Sequence, residues 1–230
     1  MEKKKNKFES GIYNYCDRWC ERCDKTQKCF LYFKEQEDRA IMIAEGKDPD
    51  DPKNAFEIVG KSLMETHELV ANYCLENNID ITMTPEDEKE YEEKEEAVDP
   101  KNEPLAKISE KFRDELFDYF KTTPSLDVNE YHDAYRVMSW QGTLLGSKVL
   151  RALRSKNEYF YDILDEFSLE DSEKSAMVAY RSALKSKEAL ELMDCYVVDP
   201  RLQEMNELLD QIINGINVLL KTLSEKQTKV

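Results

Sequence analysis

Four of the six cysteines stand within fourteen residues: Cys16, Cys20, Cys23 and Cys29 of GIYNYCDRWCERCDKTQKCF form a C-x3-C-x2-C-x5-C pattern. Thiolates are soft ligands, and four so close in sequence can enclose one centre, a zinc ion or an iron-sulfur cluster. The competing readings are two disulfides, or inert thiols packed as small hydrophobes. A reducing compartment disfavours the disulfides, and simple packing gives no reason for the clustering.

Spacing bears on which centre it is. Structural zinc draws on paired knuckles of two to four spacer residues, and x3, x2, x5 is not two knuckles. Were residues 12–23 one continuous helix, Cys16 and Cys23 would lie roughly 10 Å apart along its axis, too far for one ion to gather. A four-iron, four-sulfur (4Fe-4S) cluster tolerates a wider spread and takes cysteine as its usual ligand, so this geometry favours the cluster over zinc. Arg18, Arg22, Lys25 and Lys28 lie between the ligands. They would offset thiolate charge and raise a cluster's potential, and they read equally well as solvated loop charges.

The first three spacings are also those of radical S-adenosylmethionine enzymes. Arg22 stands where that family has an aromatic residue, a fourth cysteine follows, and no βα repeats supply a barrel. A resemblance covering more of the chain rests on IYNYCDRWCERC with its fourth cysteine and on DAYRVMSWQGTLLGSKVLRAL at 133–153. On both motifs the chain resembles a family of uncharacterised bacterial helical proteins, which implies a helical fold and brings no activity.

Other chemistry-bearing residues are sparse. The chain has two histidines. His67 falls in the series Phe56, Val59, Leu63, His67, Val70, Cys74, which places an imidazole and a thiol on an apolar helix face and reads first as a core histidine, then as a metal ligand or proton carrier. Cys74 and Cys195 read as core packing or else as substitute metal ligands, and Cys74 joins His67 and His132 as a functional candidate. His132, between Glu130 and Asp133 near a helix start, reads as a local structural residue. Di-iron bundles need Glu-x-x-His on each of two helices, but Met64 and Asn129 precede the histidines by three. A nonstandard carboxylate site from Glu65, Glu68, Asp114 or Asp118 competes with the polar faces of ordinary amphipathic helices. Nothing resembles a nucleophile elbow, so no catalytic residue is identified.

The elements that position these groups are helices. With 40% hydrophobic and 36% charged residues, six Gly and seven Pro, the chain is poor material for tight β-turns. An all-α bundle of five or six helices is expected, with a cysteine-rich segment at 1–34 and the bundle at 35–230. Asp51-Pro52 opens a helix to about Asn77, Thr84-Pro85 an acidic segment, Asp99-Pro100 a helix to about Lys121, and Asp199-Pro200 the last. Asp127 with Glu130 reads as a capping box for a helix to about Ser155, and Asp171 or Ser172 as the cap of a helix to about Met193. Leu202, Met205, Leu209, Ile212, Ile216, Leu219 and Leu223 form one apolar stripe, widened by Leu208, Ile213 and Leu220. Ser139, Gly142 and Gly146 share a face, and glycines there cost about 1 kcal/mol each unless a neighbouring helix approaches closely. Within about 80–100, residues 86–99 hold nine acids and two lysines, a solvated helix or linker.

The formal net charge of −16 repels phosphate backbones and anionic membranes, which argues against nucleic acid as a partner. Residues 1–34 carry +4, including Lys3, Lys4, Lys5 and Lys7 of a basic tail, leaving −20 for the rest. No stretch reaches the roughly 20 apolar residues of a membrane span, and no signal-peptide run follows Met1; a cytoplasmic protein is expected. Three functions follow. The first is a metal-binding module with a redox, sensing or docking role. The second is an enzyme whose site, with His67, Glu68 and His132, lies inside the bundle. The third is an interaction protein that dimerises or docks a partner through the apolar faces of its last two helices, with a structural zinc that only stabilises the N-terminal edge.

Overall fold

A computed structural model describes residues 8–161 and 166–227; the basic tail at Lys3–Lys7 lies outside them. Among the described residues there are seven α-helices and no strand: α1 Phe30–Ala44, α2 Pro52–Glu76, α3 Pro85–Val98, α4 Pro104–Thr122, α5 Asn129–Tyr161, α6 Glu166–Asp194 and α7 Pro200–Gln227. The all-α class is as expected.

The chain separates into two compact units. One comprises the described residues up to Tyr13 together with Cys20–Tyr91; the other comprises Asn14–Trp19 and the described residues from Glu92 onward.

The second unit is a four-helix bundle of α4 to α7. Each helix lies beside its chain neighbours, and α7 closes the ring against α4. Contacts between α5 and α6 run in opposite senses along the two helices: Arg151 and Ser155 meet Asp171, the Ala152 carbonyl accepts from Ser172, and Glu158 meets Ser168. The pair is therefore antiparallel. On α4 and α5, Tyr119 hydrogen-bonds Tyr131 near one end while Phe112 and Leu116 crowd Gly142 farther along, again antiparallel.

The core follows the sequence pattern. Every residue of the α7 stripe, Leu202 to Leu223, is buried, with Leu208 beside it and Ile213 and Leu220 packed against it. Facing them are Leu105, Phe112, Leu116, Met138, Leu145, Leu190 and Met193. A Cβ on Gly142 would stand 2.6 Å from Leu116 Cδ2, and one on Gly215 would stand 2.7 Å from Leu105 Cδ1. At both glycines α4 approaches closely enough that an added methyl would have to displace a leucine side chain. Gly146 is buried with looser surroundings, 4.0 Å from the Ser109 carbonyl oxygen, and Ser139 is exposed.

Helix starts agree in part with the capping reading. Asp51, Asp99 and Asp199 each accept a backbone N–H two residues on, and Thr84 with Asp87 forms a reciprocal capping box. Asp99-Pro100 opens a 3-10 turn, Pro100–Asn102, before α4 begins at Pro104. Asp127 caps nothing that the structure records: α5 starts at Asn129, with Val128 accepting from His132 N–H. Asp171 and Ser172 are not caps either, because α6 begins at Glu166; a salt bridge to Arg151 and a bond to Ala152 use their side chains instead. The acidic residues 86–98 form a helix that is largely exposed, as the charge run predicts.

In the first unit, α1 and α2 both end in Schellman motifs. Gly46 at φ +75° places Lys47 N–H on the Met42 carbonyl, and Asn78 at φ +53° places Ile79 N–H on the Cys74 carbonyl. Phe8 packs its ring against Phe30 and Phe33 at the start of α1, with centroids 5.5 and 5.3 Å away.

Candidate functional site

The cysteine segment is not one helix. It is three short 3-10 turns, Ile12–Tyr15, Cys20–Arg22 and Thr26–Lys28, and between the first two Arg18 takes φ +57°. A left-handed conformation at a non-glycine residue costs roughly 1–3 kcal/mol and needs a surrounding structure that enforces it. The helical premise behind the 10 Å separation of Cys16 and Cys23 therefore does not hold.

That enforcing structure is visible in the second unit. The Asp17 backbone oxygen accepts from Trp140 Nε1 at 2.8 Å, and its carboxylate accepts from Gln141 Nε2 at 2.9 Å, Lys185 Nζ at 2.8 Å and Trp19 N–H at 3.2 Å. Burial pushes the Asp17 carboxyl up, but the bonds from Lys185, Gln141 and Trp19 together hold it below the usual carboxylate range. Trp19 is buried and stacks on Trp140 at 5.6 Å. The Tyr15 carbonyl accepts from Arg181 at 2.9 Å, while Lys174 lies 5.0 Å over the Tyr15 ring. Asn14–Trp19 is thus strapped to α5 and α6. The two sequence motifs, CDRWC and SWQG, meet here, and the chain's two tryptophans stack on each other.

Lys148, half-buried on α5, is held below the ordinary lysine range by burial and then by the positive charges of Arg151 and Arg18, against which Asp171 and Cys16 act.

Cys16 belongs to this strap, and Cys20, Cys23 and Cys29 to the first unit. All four are partly exposed, and no disulfide joins cysteines among the described residues. Cys20 and Cys23 sit on one turn, with Cys23 N–H donating to the Cys20 carbonyl at 3.2 Å. The Cys23 sulfur accepts Lys25 N–H at 3.4 Å, a bond that stabilises negative charge on sulfur. Cys29 stands before α1, where its carbonyl accepts from Phe33 N–H. Among the described residues, no three side chains of His, Cys, Asp or Glu are drawn together as a finished ligand set. In donor chemistry the four thiols fit a soft metal.

The remaining candidates are not brought together. His67 is exposed on α2, which corrects the core-histidine reading, because the apolar face that carries it is itself exposed. Cys74 is buried as expected. Cys195 is exposed at the end of α6, its thiol 3.3 Å from the Glu191 carbonyl, so it is not core packing. His132 is exposed and holds Ser125 Oγ at 2.9 Å through Nδ1, a local role as expected. Asp114 and Asp118 make exposed ion pairs with Arg113 and Lys121, and Glu65 lies 3.9 Å from Lys61. A cavity of about 370 Å3 in the second unit is lined by Asp99, Lys101, Glu110, Leu150, Arg151 and Arg154, with no histidine or cysteine. Its arginines are committed to Asp171, Glu95 and Glu158.

Compared with family models, curated proteins and solved structures, the chain matches none. No described helix is long and apolar enough to cross a membrane.

Proposed function

We propose that this protein is a thiolate metal-binding module in which Cys16, Cys20, Cys23 and Cys29 hold an iron-sulfur cluster or zinc. One observation carries the reading: four of six cysteines stand within fourteen residues, in or directly after short turns, and no disulfide joins them. Core packing does not account for thiols that are partly exposed, and the backbone N–H on Cys23 sulfur suits a thiolate. A 4Fe-4S cluster would supply electron transfer or redox sensing, and zinc a structural clip. In either case the protein's part is to hold Cys16 through the Asp17 and Trp19 strap. Both metals are compatible with turns in place of a helix, so metal analysis decides between them. Anaerobic purification followed by metal quantification tests the reading: about four irons or one zinc per chain is expected, and loss of that metal in Cys20→Ser/Cys23→Ser identifies the ligands.

The enzyme reading needs His67 and His132 to line one cavity. Both are exposed, which weighs against it.

A further inference from the structure

The apolar faces of α6 and α7, first candidates for a partner surface, are used inside the bundle. The apolar seam left uncovered is on α2. Phe56, Val59, Leu63, Val70 and Tyr73 recur at alternating spacings of three and four, with Thr66 completing the series, and all six are exposed. Phe56 keeps 75% of its surface accessible, Leu63 66% and Tyr73 61%. This is the a/d pattern of a coiled coil over three heptads. Because isolated helices are marginal in water and draw their stability from packing an apolar face, a 25-residue helix with its seam in solvent calls for a partner.

We infer that the partner is a second copy of this chain, with two α2 helices pairing antiparallel about a two-fold axis between Met64 and Glu65. In that register Phe56 meets Tyr73, Val59 meets Val70 and Leu63 meets Thr66 of the second copy, and each layer recurs by symmetry. Such a contact is isologous and closes on itself, so it yields a dimer rather than a filament. Charge selects the orientation. The first half of α2 carries Lys53 and Lys61 against Glu57, whereas the second carries Glu65, Glu68 and Glu76 with no basic residue. Antiparallel pairing sets the basic half against the acidic half and opposes the helix dipoles; parallel pairing sets like against like. Exposure agrees as well: Leu69 flanks the seam at 70% accessible and Val59 and Val70 keep 53% each, a contiguous apolar patch of the kind that marks an interaction site. Gly60 fits the same picture, since a Cβ there would meet nothing within 4 Å in its own chain, and a glycine beside the seam eases the approach of a second helix.

The test is sedimentation of the full chain at micromolar concentrations, with Val59→Glu as the seam variant and Val218→Glu, at an exposed α7 valine, as the control. The parent and the control should be dimers, and Val59→Glu should raise the dissociation constant at least tenfold. A photocrosslinking residue at position 59 should then capture the peptide around Val70 of the second copy. A monomeric parent, a Val59→Glu dimer of unchanged strength, or capture around position 59 itself would each overturn the inference. Metal content is read separately on the same samples, because α2 holds none of the four clustered cysteines.

Discussion

Helices α2 and α7 carry the same sequence signature, apolar residues three and four apart, and meet opposite fates. On α7, Leu202, Met205, Leu209, Ile212 and Ile216 are almost wholly buried against α4 and α6. On α2, Phe56, Val59, Leu63, Val70 and Tyr73 are exposed. Periodicity therefore states that a helix has a face to bury; it does not state whether the covering surface belongs to the same molecule.

The sharpest way to break the comparison is to truncate one residue from each stripe. Leu209→Ala should cost about 2–5 kcal/mol of unfolding free energy, the range for a fully buried leucine. Leu63→Ala should change the stability of the bundle by less than about 0.5 kcal/mol while weakening association. Chemical denaturation followed through the bundle's tryptophans measures the first, and sedimentation the second. Equal losses of bundle stability would mean that α2 is as deeply packed as α7.

Close packing can be probed from the other side at Gly142. Alanine there puts a methyl into Leu116, and overpacking of this kind costs about 1–3 kcal/mol. The same change at Gly60 meets no atom of the chain and should raise α2 helicity, because alanine is the better helix former by about 1 kcal/mol.

A smaller effect is expected from Asp171. Burial pushes its carboxyl up, but the hydrogen bonds from Arg151 and Ser155 hold it below the ordinary carboxylate value. A lowered folded-state pKa contributes stability that is complete above the unfolded value and is lost as pH falls through the folded one. Asp171→Asn should therefore destabilise by about 1 kcal/mol at neutral pH, allowing for the exposed Arg151 partner. It should also flatten the decline in stability below pH about 4. Denaturation curves at pH 7 and pH 3 check both points.

The least global effect is expected at Trp140. Trp140→Ala removes the Trp19 stack and the bond to the Asp17 carbonyl. Trypsin should then cut at Arg18 several times faster, while the bundle changes by less than about 1 kcal/mol, as for a partly exposed site.

Much of this was legible in the sequence. The α7 stripe, the Asp-Pro caps and the solvated acidic helix follow from local spacing and local chemistry. Two kinds of feature were not legible. Asp171 and Asp127 look like caps in sequence because a polar residue before an apolar run serves equally well as a tertiary partner, as Asp171 does for Arg151. The strap joins residues more than 120 positions apart, and no local rule pairs Asp17 with Gln141. The signal available was compositional, in that each of the two motifs holds one of the chain's two tryptophans. His67 follows the difference between α2 and α7: its spacing matches that of a covered face, and on α2 that face is exposed.

The central claim concerns the four cysteines, and the most direct measurement is metal content and absorption of anaerobically purified protein, beside Cys20→Ser/Cys23→Ser. About four irons with visible absorption, or one zinc without it, are expected, with loss of that metal in the variant. Protein lacking both iron and zinc in stoichiometric amount, or a variant that keeps its metal, would contradict it.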